Sequence, residues 1–187
     1  MFLAVILAAF AYLQYEETGR EREGVRRDVE YAQQRLRLRL IERQEQLMRV
    51  GRNISEGEMS LSEFKLQAEE LINQYPEFSS LSWIDGNKKI RASVAVGMFR
   101  GGLQSWANNL FDSTQAKVAF NLTRQTLQST YSEPIANIDS ASDTVPHLQL
   151  HIPLLYGDQF AGVLLADYSL DALIRFSIPT ELLSRHA

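Results

Sequence analysis

No cysteine occurs anywhere in the 187 residues, so a disulfide framework and a thiolate metal site are both excluded, while the redox compartment is left open. Surplus positive charge is missing too. Lys and Arg total 19 against 23 Asp and Glu, and a formal net charge of -4 leaves no broad basic surface to gather nucleic acid. Catalytic signatures are equally scarce. There is no Gly-x-Ser-x-Gly elbow and no paired-carboxylate motif, and Gly97, Gly101 and Gly102 lack the lysine and hydroxyl residue of a phosphate-cradling loop. What remains is a chain 45% hydrophobic and 22% charged, enough for one ordinary core and an appendage.

The appendage begins with an unbroken apolar run, Met1 to Leu13 (MFLAVILAAFAYL), closed by Gln14, Tyr15, Glu16 and Glu17. This is the length of a signal-peptide apolar region and short of the roughly 20 residues of a full membrane span. Three readings compete: a signal peptide, a core helix, or the outer end of a transmembrane helix. No basic residue precedes the run, and Tyr12 and Tyr15 at its far edge suit a membrane interface. Residues 1–15 are therefore expected to be the outer part of a transmembrane helix.

Residues 16–55 contain no proline and are crowded with Arg, Glu and Gln. Val25, Val29, Ala32, Leu36, Leu40, Leu47, Val50 and Ile54 recur at mostly three- and four-residue steps, the mark of a stripe down one helix face. A helical stalk is expected, with the stripe offered to a partner helix in a homodimer.

Beyond a break at Ser55 to Met59, Ser60 and Glu63 form a possible capping box opening a second helix that ends at Tyr75-Pro76. FSSLSWID, Gly86-Asn87 and KKIRASVAV then read as a β-hairpin, with Leu81, Trp83, Ile90, Ala92 and Val94 alternating. A glycine-rich stretch at Gly97 to Gly102 leads into a mainly helical region from Leu103 to about Leu127. Three more strands follow, at Ser129 to Ala136, Val145 to Leu155 and Gln159 to Tyr168, and then a short helix capped by Ser169.

The run from Tyr131 to Ile174 resembles the second half of the Cache, or PDC, family of extracytoplasmic PAS-like sensor domains. The pieces that carry the resemblance are Tyr131-Ser132-Glu133-Pro134, Ile152-Pro153-Leu154, Tyr156-Gly157-Asp158, Phe160-Ala161-Gly162-Val163-Leu164 and Asp167-Tyr168-Ser169-Leu170, in the family's order. With the preceding helix and hairpin the match covers most of Ser60 to Phe176. The resemblance implies an α+β fold: a PAS-like five-stranded antiparallel sheet packed on a long N-terminal helix that continues from the transmembrane segment, with a small-ligand pocket on the opposite face. Residues 56–187 would be this sensor domain. It also implies a periplasmic location at a bacterial inner membrane, within a receptor whose output domain, such as a histidine kinase, lies elsewhere.

Asp167 matches the family's acidic residue at the end of the last strand, where a carboxylate often meets a cationic ligand group; its other reading is a cap for the helix that follows. Arg91 and Arg100 are candidate clamps for a ligand carboxylate. Trp83, Trp106 and Tyr131 are candidate pocket walls, with core packing the competing role. His147, Gln149 and His151 share a strand face, but the two histidines are roughly 13 Å apart along an extended strand, too far to share one metal ion. No catalytic residue, metal or cofactor is expected. A ligand-free dimerisation or partner-binding module is the alternative, and a hydrolase has only isolated Ser, His and Asp residues behind it.

Overall fold

The computed structural model describes residues 2–96, 113–135 and 146–177, with side chains from Arg26 onward. The proline-free N-terminal stretch forms one helix, α1 (Phe2–Ser55). The chain divides into two compact units, one of which contains α1 up to Arg39 while the other runs from Leu40 to Phe176. In the first, Arg26 Nε lies 3.0 Å from Glu30 Oε1 one turn on, and the Arg35 guanidinium sits 5.6 Å from the Tyr31 ring centre. Val29, Tyr31 and Leu38 are exposed there. Among the described residues no helix is long and apolar enough to cross a membrane. The side chains of the expected membrane segment, residues 1–15, lie outside the described residues.

In the second unit, Leu47, Val50 and Ile54 of α1 are buried. Gly51 brings the helix backbone close to the sheet, since a Cβ there would meet Ile152 Cγ2 at 3.3 Å. This corrects the expectation that the whole stripe is offered to a partner helix. Its last turns cover the chain's own sheet, because a buried stripe and an interface stripe have the same helical period.

α2 (Leu61–Gln74) opens on the expected capping box: Glu63 N donates to Ser60 Oγ and Ser60 N donates to Glu63 Oε2. It ends before Pro76, and Phe64, Ala68 and Ile72 form its buried side. β1 (Phe78–Asp85) and β2 (Ile90–Ala95) make the hairpin, whose turn is held by Asp85 Oδ1 accepting from the backbone N–H of Asn87 and Lys89. Residues 97–112, with Arg100 and Trp106, lie outside the described residues. The helical region is described from Ser113, whose hydroxyl caps α3 (Thr114–Thr126) by accepting from Ala116 N.

The expected third strand shrinks to β3 (Thr130–Tyr131) plus one bridge between Ile135 and His147. Between them Ser132 holds β4 (His147–Tyr156) with both its backbone and its side chain: its N–H donates to Gln149 O, and its Oγ accepts from Gln149 N. Further along that edge Pro153 has no N–H to offer, and Leu155 N donates to Ser55 Oγ of α1. The edge is thus closed by a proline and a helix serine, which removes a template for strand addition. β5 (Gln159–Ser169) lies between β1 and β4, and α4 (Leu170–Ser177) follows it, capped as expected by Ser169.

All pairings are antiparallel, in the order β2-β1-β5-β4-β3. Gly162 permits a close approach between β5 and β1. Its φ is +155°, and an added Cβ would fall 2.1 Å from Ile84 O. The fold is the expected α+β arrangement of a five-stranded antiparallel sheet with a long N-terminal helix.

Two layers cover the sheet. On one face the end of α1 and α2 bury Leu81, Leu150, Ile152, Leu154, Leu164, Ala166 and Tyr168. On the other, Phe120 of α3 packs with Ile84, Val163 and Leu165, and the Phe160 ring stands edge-on to Phe120 at 5.7 Å.

Candidate functional site

Strand alternation places successive side chains on opposite faces, so the register fixes which residues share the α3 face. Ile84 and Val163 pair in one row and are apolar. In the next row Ser93, Ser82, Leu165 and His151 lie side by side, and in the row beyond it Ser80, Asp167 and Gln149 do the same. The face therefore changes from apolar to polar toward the end of β5. Ser80, Ser82, Gln149, His151 and Asp167 are all buried. A polar patch so far from water persists only with partners, from within or from a ligand.

Some partners are internal. The Ser82 and Ser93 hydroxyls are 2.8 Å apart, and His151 Nε2 is 3.3 Å from Gln149 Oε1. Others are unfilled: Ser80 Oγ and Asp167 Oδ1 are buried with no hydrogen-bond partner among the described residues. Asp167 Oδ2 lies 3.4 Å from His147 Nδ1. Burial pushes the Asp167 carboxyl up to about 7 and pushes His147 down, so desolvation favours the uncharged form of each. At pH values below about 7 the carboxyl holds its proton, and desolvation works against a structural ion pair with His147. His151, with its ring edge toward Phe120, is pushed down to about 3 by burial and stays neutral.

Such a cluster can receive a cation, because Asp167 can gain from an incoming positive group what burial has taken from it. It can also accept and donate neutral hydrogen bonds through Ser80 and Gln149. Among the described residues no group of three or more His, Asp or Glu could hold a metal ion.

The sequence candidates divide between the two faces. Asp167 sits in the patch, and its capping alternative is taken by Ser169, whose Oγ accepts from Ala172 N. Trp83 lies on the α2 side, its ring edge-on to Phe64 at 6.0 Å, and Tyr131 lies on the α1 side, its hydroxyl donating to Leu40 O at 3.4 Å. Neither shares a face with Asp167. Arg91 is exposed at the hairpin, 4.0 Å from Asp85 Oδ2. Arg100 and Trp106 fall outside the described residues. Ser80 and Ser82 were not among the candidates, although their alternation with Leu81 and Trp83 in FSSLSWID marks a polar strand face.

A separate open groove of about 530 Å³ lies at the sheet edge, between Gln44, Met48 and Arg52 of α1, the Leu127-Gln128 turn and Pro153. It shares no residue with the polar patch.

No family model matches the chain, and no curated protein does. Among solved structures it is similar to an extracellular domain assigned to the histidine kinase soHK1S-Z6, at 15% identity and a TM-score of 0.49, covering 78% of this chain and 58% of that one. It is also similar to the ligand-binding domain of the Pseudomonas aeruginosa PAO1 amino-acid chemoreceptor PctC in complex with GABA, at 17% identity and a TM-score of 0.37, covering 69% and 54%. A third similarity is to an extracellular domain assigned to the histidine kinase mmHK1S-Z2, at 14% identity and a TM-score of 0.38, covering 60% and 46%. The chain spans about half the length of these structures, two of which are extracellular domains and one a ligand-binding domain.

Proposed function

We propose that the chain is the extracytoplasmic sensing part of a bacterial membrane receptor of the Cache class, and that it binds a small ligand carrying a cationic group on the α3 face of its sheet. The observation that carries this reading is Asp167 Oδ1, buried and without a hydrogen-bond partner among the described residues, beside the equally unfilled Ser80 Oγ. Such groups cost stability when left alone, and a ligand that completes them recovers that cost. The module works as a homodimer through α1, with residues 1–15 as its membrane anchor and a separate output domain, such as a histidine kinase, acting on its behalf. Its own part is recognition rather than catalysis.

The test is a thermal-shift screen of the chain against amines, amino acids, organic acids and aromatic metabolites. A ligand at 100 times its dissociation constant adds about 2.7 kcal/mol. A saturable shift that disappears in Asp167→Asn supports the reading. If every class fails on folded protein, the ligand-free dimerisation or partner-binding module takes its place.

A further inference from the structure

The groove at the sheet edge departs from the charge of the chain around it. The protein carries 23 Asp and Glu against 19 Lys and Arg, yet no residue lining the groove is acidic and one, Arg52, is a cation. The Arg52 guanidinium has no ion-pair or hydrogen-bond partner among the described residues. Glu56, one turn on, reaches only the Arg52 carbonyl, with its backbone N–H at 2.9 Å. At about 530 Å³ the groove has the volume of a small-molecule site.

Its floor is fixed. Gly51, lacking a side chain, lets α1 come down onto Ile152, and Ser55 Oγ donates to Gly51 O at 2.8 Å while accepting from Leu155 N at 3.0 Å. Two apolar side chains rise beside that floor, Met48 at 42% exposure and Leu127 at 39%. Leu127 ends α3 in the left-handed region, at φ +55°, where glycine sits freely and leucine is strained. A leucine held there supplies what glycine lacks, a side chain, and that side chain lines the groove.

The end of α3 does not compete for the cation. Leu122 O accepts from Thr126 Oγ1 and Thr123 O from Leu127 N, so these last-turn carbonyls are occupied. Gln128 is held through its backbone, its N–H donating to Thr126 Oγ1 and its carbonyl accepting from Thr130 Oγ1. Its side-chain amide remains for an occupant of the groove. A guanidinium so placed receives a carboxylate through two parallel hydrogen bonds, and the apolar residues receive the rest of the molecule.

We propose that this groove is a second binding site, for a small carboxylate with an apolar body, which pairs with Arg52 and lies between Met48 and Leu127. It takes the opposite charge from the α3 face and does not depend on it. Because its walls belong to α1 and to the turn between α3 and β3, an occupant ties the helix to the sheet edge.

The experiment is a two-dimensional amide NMR titration of the full chain with benzoate and with hexanoate, and with benzylamine as the charge-reversed control. At least one carboxylate should give saturable shift changes at Met48, Arg52 and Gln128, and benzylamine should give none there. Arg52→Gln should weaken that binding about tenfold or more. Leu127→Gly, which relieves the backbone, should keep or raise the melting temperature while weakening binding about threefold or more. Asp167→Asn should leave it unchanged. A compound whose thermal shift is lost in Asp167→Asn therefore belongs to the α3 face, and one whose shift survives that change but not Arg52→Gln belongs to the groove. No saturable change at the groove with either carboxylate, an equal response to benzylamine, or binding unaffected by Arg52→Gln overturns the proposal.

Discussion

Ser80 and Asp167 stand opposite each other on β1 and β5, both buried, and neither Ser80 Oγ nor Asp167 Oδ1 finds a hydrogen-bond partner among the described residues. A sheet centre built only for packing would carry valine or leucine there, as it does at Val163 and Leu165 two and one rows away. The register puts the unfilled groups side by side, and that pairing is what the proposed binding face rests on.

Burial of the same groups sets a pH dependence. With its carboxyl held up to about 7, folded Asp167 keeps a proton that the unfolded chain loses above 3.8, so its contribution to stability falls as pH rises between those values. His151, pushed down to about 3, and His147, also lowered, act in the opposite direction: the unfolded chain takes up protons below 6.5 that the folded chain refuses. The two slopes oppose each other between pH 3.8 and 6.5. Urea unfolding of the wild type should therefore change little across that window. In Asp167→Asn, stability should rise with pH there, and in His151→Phe it should fall.

The Arg43–Glu77 pair is nearly dry, with the two side chains 12% and 0% exposed. Arg43→Met leaves a carboxylate buried without its guanidinium, a change that costs about 3 kcal/mol or more. Chemical denaturation should show this loss. A smaller loss is expected when both members are replaced by apolar residues, because no charge is then stranded.

Gly162 cannot take a side chain. Its φ of +155° and the 2.1 Å approach of Ile84 O to a notional Cβ leave no room, and the obstacle is backbone. Gly162→Ala should destabilise the chain by about 3 kcal/mol or more, measured by thermal unfolding. Gly157→Ala, at φ +59° with open space around it, should cost less, of the order of 1 kcal/mol.

Legibility in the sequence followed the strength of local chemistry. The Ser60-Glu63 box, the hairpin at Gly86-Asn87 and the Ser169 cap depend on residues a few positions apart, and each stands where its spacing places it. The stripe on α1 was equally legible as a helix face. Its destination was not, because Leu47, Val50 and Ile54 have the same period whether they meet a partner helix or the chain's own sheet. Alternation likewise groups Trp83 with Leu81 and separates both from Ser80 and Ser82, but it does not say which face a helix covers. Grouping Trp83 and Tyr131 with Asp167 by chemistry crosses that divide. The third strand was overestimated because Pro134 interrupts its ladder and Ser132 supplies a side-chain acceptor in its place.

The central claim is that the polar α3 face holds the ligand. Its most direct test is a two-dimensional amide NMR titration of the isotope-labelled chain with a compound that gives a saturable thermal shift. The account predicts that the largest shift changes fall at Ser80, Ser82, Gln149 and Asp167 and are lost in Asp167→Asn. Changes centred instead on Met48, Arg52 and Gln128, the residues of the groove at the sheet edge, would contradict it.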